Sequence, residues 1–232
     1  MSIIEARDLA KSYMGGDGEL IHVLEGVDLE VRRGEMVAVV GASGAGKSTL
    51  LHLLGALDRP SRGFVVLDGE PLHGLPDQEL ARIRNRKVGF VFQFHHLLPE
   101  FSALENVMMP LRIGGWDRRR ARCRAEELLA RVGLGGRMTH PPSELSGGEQ
   151  QRTAVARALA VDPALVLADE PSGNLDNVNA ERLHEQFVHL VRELEIAMVV
   201  VTHNRALAAR ADRALLLDGG KLRETDVREA IA

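Results

Sequence analysis

The segment Gly41–Ser48, with the sequence GASGAGKS, constrains the fold of this 232-residue chain more than any other feature. The apolar run Met36–Val40 before it is typical of a buried strand, and residues 49–57 after it favour a helix. A glycine-rich turn between a strand and a helix, ending in Lys-Ser, is the P-loop pattern, which holds phosphates with backbone N–H groups and a helix N-terminus. Lys47 would reach the outer phosphates and Ser48 would bind Mg²⁺. The predicted nucleotide-binding residues of this segment are Gly41, Ala42, Ser43, Gly44, Ala45, Gly46, Lys47, Ser48 and Thr49.

Short apolar runs alternate with helical segments along most of the chain, which predicts an α/β fold. We find no repeat and no linker, so residues 1–232 are expected to form a single domain. Between residues 93 and 159 the pattern is almost wholly helical, and strand-like runs return afterwards. We therefore interpret 93–159 as a helical lobe inserted into a core that residues 1–92 and 160–232 form.

Composition narrows the class of partner. The formal net charge of −4 argues against a nucleic-acid-binding protein, whose affinity rests on a basic face. Cys123 is the single cysteine, so no intrachain disulfide can form, and a reducing, cytoplasmic setting is expected. The N-terminus has no apolar core typical of a secretory signal, and the apolar runs are far shorter than the roughly 20 residues that cross a bilayer. Any membrane role must therefore come through a partner.

The apolar run from Leu165 ends in two carboxylates, Asp169 and Glu170. In open α/β sheets the carboxyl ends of the strands carry the ligand site. Asp169 is the expected Mg²⁺ residue, because a hard cation prefers oxygen ligands. Glu170 would then act on the attacking water as a general base.

A second anion-binding pattern lies in the helical lobe. The sequence LSGGEQQR occupies Leu145–Arg152, and Ser146 with Glu149 fits a capping box that should start a helix. Ser146, Gly147 and Gly148 would form an anion site at that helix N-terminus, yet the chain already has a phosphate site. A second site of this kind suggests that it serves a second chain.

These motifs together resemble the ATP-binding cassettes of ABC transporters, and the resemblance covers essentially the whole chain. It implies a RecA-like P-loop NTPase core with an N-terminal antiparallel β subdomain and an inserted helical subdomain. It also implies ATP and Mg²⁺ as ligands, and a homodimer in which the signature Ser146–Gly148 of one chain closes over the γ-phosphate held by the P-loop of the other.

The same resemblance assigns roles to residues whose motifs are weak in isolation. Tyr13 matches the aromatic residue that stacks on adenine, and Gln93 matches the glutamine that senses Mg²⁺ and water. Asp176 marks the loop joining the two ATP sites, and His203 matches the switch residue that contacts the γ-phosphate. Four other histidines match no motif and are interpreted as ordinary solvated side chains: His95, His96, His140 and His184.

The segment from Gln93 to Leu111, QFHHLLPEFSALENVMMPL, resembles more closely the ATPase subunits of Lol lipoprotein-releasing systems. These belong to a wider group that includes macrolide-export and cell-division ATPases. Ser172 stands where threonine is commoner, Asn204 stands where aspartate is commoner, and the residues after Arg223 match nothing useful. The resemblance implies a peripheral ATPase on the cytoplasmic face of a bacterial inner membrane.

Six apolar residues of this segment are too dense for a solvated loop: Phe94, Leu97, Leu98, Phe101, Val107 and Met108. They form either local core or a docking groove, and we favour a groove near Phe94–Met109 that receives short helices of integral membrane subunits. The arginine-rich run 118–124 is interpreted as a solvated helix face, with contact to anionic lipid as the alternative.

Two interpretations of the function remain open. The first is an ATPase that powers transport, and the second is a soluble regulatory or structural ATPase of the same type, as in cell division. A soluble ABC protein of translation or repair normally joins two such domains or carries a long insertion, whereas this chain has one set of motifs and no such insertion. Transport is therefore preferred.

Overall fold

The computed structural model describes residues 2–225 of the chain, so the C-terminal residues 226–232 that matched no pattern lie outside the described part. One of its two sheets is antiparallel and four-stranded, in the order β2-β1-β4-β5. Its strands are β1 (Ser2–Met14), β2 (Leu20–Arg32), β4 (Arg62–Leu67) and β5 (Glu70–Pro71).

The second sheet is six-stranded, in the order β10-β9-β3-β8-β7-β6. Its strands are β3 (Met36–Val40), β6 (Val88–Phe92), β7 (Leu165–Asp169), β8 (Ala197–Val201), β9 (Arg213–Asp218) and β10 (Lys221–Thr225). All pairs are parallel except β9–β10. The carboxyl ends of β3, β8, β7 and β6 therefore lie side by side at one edge.

Helices surround this sheet and form the helical lobe. Their bounds are α1 (Lys47–Leu54), α2 (Asp77–Lys87), α3 (Ala103–Ile113), α4 (Arg118–Arg131), α5 (Gly147–Ala158), α6 (Asn177–Glu193) and α7 (Arg205–Ala208). Side chains that accept hydrogen bonds from backbone N–H groups start most of them, as Ser102 does for α3 and Asp117 for α4. Asn204 caps α7 in the same way, a role that asparagine and aspartate share.

Strand β3 divides the apolar interior between its two faces. Val37 and Val39 pack with α1 and the antiparallel sheet, whereas Met36, Ala38 and Val40 pack with α6 and the helical lobe. Because successive strand residues point to opposite faces, a fully apolar five-residue run is what a strand covered on both sides requires. The apolar clusters on the two faces of β3 thus fix the position and the orientation of the P-loop that follows this strand.

The predicted α/β architecture with its antiparallel subdomain and helical elements is confirmed. The helix predicted to reach Leu57 ends at Leu54, because Ala56 has a left-handed backbone with φ of 53°, which an α-helix cannot include. Gly55, at the helix end, packs against the Phe90 ring where a Cβ would clash. Strand β10 and helix α7 were not predicted. The division of the chain at residues 93 and 159 stays a prediction. Within residues 2–225, no helix has the length and apolarity that crossing a bilayer requires.

Candidate active site

Four neighbouring strand ends bring the predicted catalytic and phosphate-binding side chains together. The P-loop follows β3, Asp169 and Glu170 end β7, and His203 comes two residues after β8. Gln93 follows β6. Because these strands are parallel neighbours, the four segments meet around one cavity of about 770 Å³. Of the residues predicted from sequence, those lining it are Gly41, Ser43, Gly44, Gly46, Lys47, Ser48, Thr49, Gln93, Asp169, Glu170 and His203.

The P-loop backbone suits a bound phosphate group. Gly41, Gly44 and Gly46 have φ values of 154°, 80° and 97°, which side-chain-bearing residues seldom adopt. A Cβ on Gly41 would clash with the Leu217 carbonyl, so the turn requires glycine there. Lys47 Nζ donates to the carbonyl oxygens of Gly41 and Ala42, both at 2.8 Å, which keeps the ammonium beside the loop. Together with the N-terminus of α1, these features fit the phosphates of a nucleotide.

The oxygen donors at this edge also fit a hard divalent cation. Ser48 contributes a hydroxyl, Asp169 a carboxylate and Gln93 a side-chain amide oxygen, and all three line the same cavity. Oxygen ligands of this kind, completed by water and phosphate oxygens, are what Mg²⁺ takes in phosphoryl-transfer sites. The donor set therefore fits the predicted metal.

Glu170 is held in a strained backbone conformation by its neighbours. Its φ is 45°, its N–H donates to the Val201 carbonyl at 2.9 Å, and its carbonyl accepts from Gly173 N at 3.0 Å. Left-handed backbone at a non-glycine residue clusters at functional sites, where the surrounding structure enforces it.

The Glu170 carboxylate is oriented by the segment after β8. Oε1 accepts from His203 N at 3.0 Å and lies 2.7 Å from His203 Nδ1, and Oε2 lies 3.3 Å from the Thr202 hydroxyl. The carboxylate is mostly shielded from solvent, whereas the imidazole is largely exposed. The His203 imidazole is therefore accessible to a ligand in the cavity, and the backbone N–H of His203 holds Glu170 independently of the ring.

Gln93 is tied to the loop that follows Glu170. Its Nε2 donates to Asn174 Oδ1 at 3.2 Å, and Asn174 Nδ2 donates back to the Gln93 carbonyl at 2.9 Å. Asp176 ends the same loop as the N-cap of α6, accepting from Val178 N and Asn179 N, both at 3.0 Å. The bonds from Asn179 hold the pKa of Asp176 below its usual value.

Several predicted site residues lie outside the cavity lining: Tyr13, Ala42, Ala45, Ser146, Gly147, Gly148 and Asp176. The Tyr13 hydroxyl donates to Asp58 Oδ2 at 2.9 Å, and Lys11 Nζ lies 4.8 Å from its ring centroid. Partial burial and the Asp58 carboxylate raise the pKa of Tyr13. The predicted adenine stacking on this ring stays a prediction.

The signature residues start α5 in the expected geometry. Ser146 Oγ accepts from Glu149 N at 3.3 Å, and Glu149 Oε2 accepts from Ser146 N at 2.8 Å, so the capping box is present. Ser146 and Gly147 are nevertheless not part of the P-loop cavity of their own chain. Within one chain, the P-loop and the predicted anion-binding motif at the start of α5 therefore lie at different places.

Sequence reasoning missed residues that join α5 to residues 93–96, the segment after β6 that we call the lid. Arg157, in the last turn of α5, donates to the carbonyl oxygens of His95 and His96 at 2.7 and 2.6 Å. Burial lowers the pKa of Arg157 and of His95. His96 and Phe94, which is 66% exposed, line the nucleotide cavity. The predicted contact of Phe94 with membrane subunits stays a prediction.

Other sequence interpretations are also wrong in part. Val107 is fully buried in the core of the helical lobe and cannot line a docking groove, whereas Met108, although mostly buried, lines a surface cavity of about 540 Å³ with Phe101, Leu104 and Met109. His184 is fully buried, and His95 and His140 are half-buried, so these three are not solvated histidines. His184 lies beside the apolar stripe of α6, formed by Leu183, Phe187 and Val191, and this position is compatible with burial but does not require it.

Comparison with known proteins places this site in a family. The family model described as ABC transporter matches residues 24–173. The "Lipoprotein-releasing system ATP-binding protein LolD" of Geobacter metallireducens is 53% identical over 221 residues, covering 95% of this chain and 98% of that protein. The protein of the same name from Bordetella pertussis is 55% identical over 219 residues, covering 94% of each.

A solved structure agrees with this relationship. A dimeric ATP-binding cassette in a post-hydrolysis state, bound to ADP and Pi, superimposes with a TM-score of 0.88 at 39% identity, covering 97% of this chain and 99% of that one. A second dimeric structure, titled as a bacterial ABC transporter cassette, also has a TM-score of 0.88, at 40% identity. With the P-loop, the acidic strand end and the signature in place, this chain belongs to the ABC transporter family, as an ATP-hydrolysing cassette.

Proposed function

We propose that this chain is the ATPase subunit that powers release of lipoproteins from the inner membrane toward the outer membrane. The observation that carries the proposal is the identity of 53–55%, along almost the whole chain, with proteins named for that system. The subunit would be peripheral, on the cytoplasmic face of the membrane, and would act through integral membrane subunits. A macrolide-export or cell-division complex, the alternative from sequence, has no observation of its own in its favour.

Within the site, each group has a distinct task. The P-loop N–H groups and Lys47 bind and orient the β- and γ-phosphates. Ser48, Asp169 and Gln93 would hold Mg²⁺, which would neutralise charge on the phosphate oxygens. Glu170 takes a proton from the attacking water, and its bonds to Thr202 and His203 aim the carboxylate. His203 leaves Glu170 to contact the γ-phosphate.

A complete site in this proposal needs two chains. The signature at the N-terminus of α5 lies outside the P-loop cavity of its own chain and carries free glycine N–H groups at a positive helix end. Two copies facing head to tail would each place this helix end on the γ-phosphate held by the other. The dimeric state of the similar cassettes supports this arrangement.

Docking of the membrane subunits is assigned to a cleft between the sheet and α3. This cleft, of about 410 Å³, includes Leu57, Leu98 and Ile113, which are exposed apolar side chains, and its floor includes Phe90 and Met109. Exposed apolar residues gathered around a concave surface are typical of a partner site. Leu98 follows the lid of the nucleotide site within five residues, so docking and nucleotide sensing are adjacent in the chain.

Leu98→Asp is expected to abolish assembly with the membrane subunits while ATP hydrolysis by the isolated chain stays intact. The Leu98 side chain is 39% exposed, so the carboxylate remains hydrated in the free subunit but is buried without a partner on docking. Such burial weakens association by about a hundredfold or more. The measurement pairs co-purification with the membrane subunits and the ATPase rate of the isolated chain.

Leu20→Asp serves as the matched control, because Leu20 is also an exposed leucine but lies on β2, away from the cleft. It should leave assembly unchanged. If Leu98→Asp assembles normally, the cleft is not the docking site.

Lipoprotein release is the direct test of the proposed function. The subunit, reconstituted with its membrane subunits in proteoliposomes, should release a lipoprotein cargo to a soluble acceptor only when ATP is hydrolysed. A complex that hydrolyses ATP yet leaves lipoproteins in the bilayer, while exporting a macrolide, would contradict the proposal in favour of the related export system.

A further inference from the structure

A buried histidine on α6 contacts the loop that follows the catalytic glutamate. His184 has no exposed surface, and its Nε2 lies 2.7 Å from the Ser172 hydroxyl oxygen. Its other ring nitrogen, Nδ1, has no hydrogen-bond partner among the described residues, and Glu181 Oε2 lies 3.8 Å from it. Glu181 is itself paired with Arg210. A polar ring buried in this way requires a reason, because its desolvation opposes folding.

The groups around His184 determine whether Ser172 or His184 donates the hydrogen bond between them. Burial lowers the pKa of His184; the Glu181 carboxylate opposes this shift and Arg210 adds to it, and because the net shift is downward the ring is neutral near pH 7. A neutral imidazole has one N–H, and its favourable position is Nδ1, which faces the Glu181 carboxylate. Nε2 is then an acceptor, and the Ser172 hydroxyl donates to it.

The Ser172 bond ties the turn after Glu170 to α6, in addition to the bonds that Glu170 makes with Val201 and Asn174 makes with Gln93. Glu170 begins the turn with left-handed backbone, and Leu175 N donates to the Ser172 carbonyl at 3.0 Å. A strained conformation persists only where surrounding contacts enforce it. The Ser172 side chain supplies such a contact, because it connects the turn to the long helix α6.

We propose that His184 is a positioning residue for ATP hydrolysis, which acts by holding Ser172 and thereby the turn that carries Glu170. The turn also carries Asn174, which binds the lid through Gln93, so one buried bond supports both the carboxylate and the lid. This inference rests on the proposed role of Glu170 as general base.

The test is a double-mutant cycle that separates positioning from stability. His184→Phe and Ser172→Ala each remove the bond and leave a buried polar group without its partner, so each should lower the melting temperature. The double variant removes both groups and should melt at or above the wild-type temperature. Nevertheless, kcat should fall about tenfold in the double variant, with KM for ATP within about twofold of the wild type, because orientation of the general base affects the chemical step.

His184→Gln is the rescue variant, because its side-chain amide can restore a hydrogen bond to Ser172. It should recover most of the lost kcat. A double variant with wild-type kcat would overturn the proposal. So would a kcat that follows the melting temperature across the wild type, the two single variants and the double variant, because a purely structural contact predicts that correlation.

Combination with Glu170→Gln distinguishes failure of this inference from failure of the proposed function. If His184 acts through Glu170, His184→Phe should cost no further activity in the Glu170→Gln background. Full turnover in Glu170→Gln alone would instead reject the general-base role itself. Additive losses in the combined variant would leave that role in place and reject the action of His184 through Glu170.

Discussion

Replacing Glu170 by glutamine is expected to lower ATP hydrolysis about 100-fold or more while ATP still binds, since general-base catalysis contributes roughly 10²–10⁴ in rate. Glutamine keeps the size of the side chain and can still accept from His203 N, which donates to Glu170 Oε1 at 3.0 Å. What it loses is the ability to take a proton from water. The loss should therefore appear in kcat, with ATP affinity close to that of the wild type.

The same variant should accumulate as a dimer in the presence of ATP, because closure of the two chains over the nucleotide no longer ends in hydrolysis. Light scattering with ATP and with ADP measures this directly. Glu126→Gln is a suitable control, since Glu126 lies on α4 and pairs with Arg122 at the surface, far from the P-loop in the fold. A strictly monomeric Glu170→Gln protein with ATP, at high concentration, would count against the two-chain site.

The sequence was sufficient to predict which residues gather at the strand ends around the P-loop cavity, because each motif reports its own local geometry. A strand followed by GASGAGKS specifies a P-loop, and an apolar strand ending in Asp169-Glu170 specifies acidic groups at a carboxyl end. What the sequence could not predict is the strand order. Pairing of β3 with β8 and of β6 with β7 joins segments that are distant in the chain, and no local pattern encodes it.

The errors share a physical cause, which is that burial depends on partners contributed by other elements. Phe94 and Val107 belong to one apolar sequence cluster, yet Phe94 lines the nucleotide cavity and Val107 lies in the core of the helical lobe. His184 occupies the border of an apolar helix face, and a residue there can be buried or solvated. The distant Ser172, whose hydroxyl reaches Nε2, makes burial possible.

Ser146→Arg is expected to lower the rate of ATP hydrolysis by the dimer about 100-fold or more, while the isolated chain binds ATP as before. Loss of one set of oriented hydrogen-bond donors at the γ-phosphate lowers the rate by about this factor. The arginine side chain would occupy the space over the α5 N-terminus where the partner's nucleotide is proposed to lie. It would also remove the capping hydrogen bond to Glu149 N, which costs about 1 kcal/mol of stability.

Ser102→Arg separates these two effects, because the chain contains the same capping box twice. Ser102 Oγ accepts from Glu105 N at 3.3 Å, and Glu105 Oε2 accepts from Ser102 N at 3.0 Å, which nearly repeats the geometry at Ser146. Ser102→Arg should therefore show a similar loss of stability but normal hydrolysis by the soluble protein. If it loses hydrolysis to the same extent, capping and not the signature explains the effect.

Lys47→Ala removes the positive charge that holds the outer phosphates. This variant should therefore weaken ATP binding by the chain that carries the substitution. A mixed dimer of Ser146→Arg and Lys47→Ala chains contains one site with an intact P-loop from the first chain and an intact signature from the second. Hydrolysis should thus reappear when the two inactive proteins are mixed, although neither is active alone. If Ser146→Arg instead weakens ATP binding by the isolated chain as much as Lys47→Ala does, both motifs act on the nucleotide of their own chain and the head-to-tail arrangement is wrong.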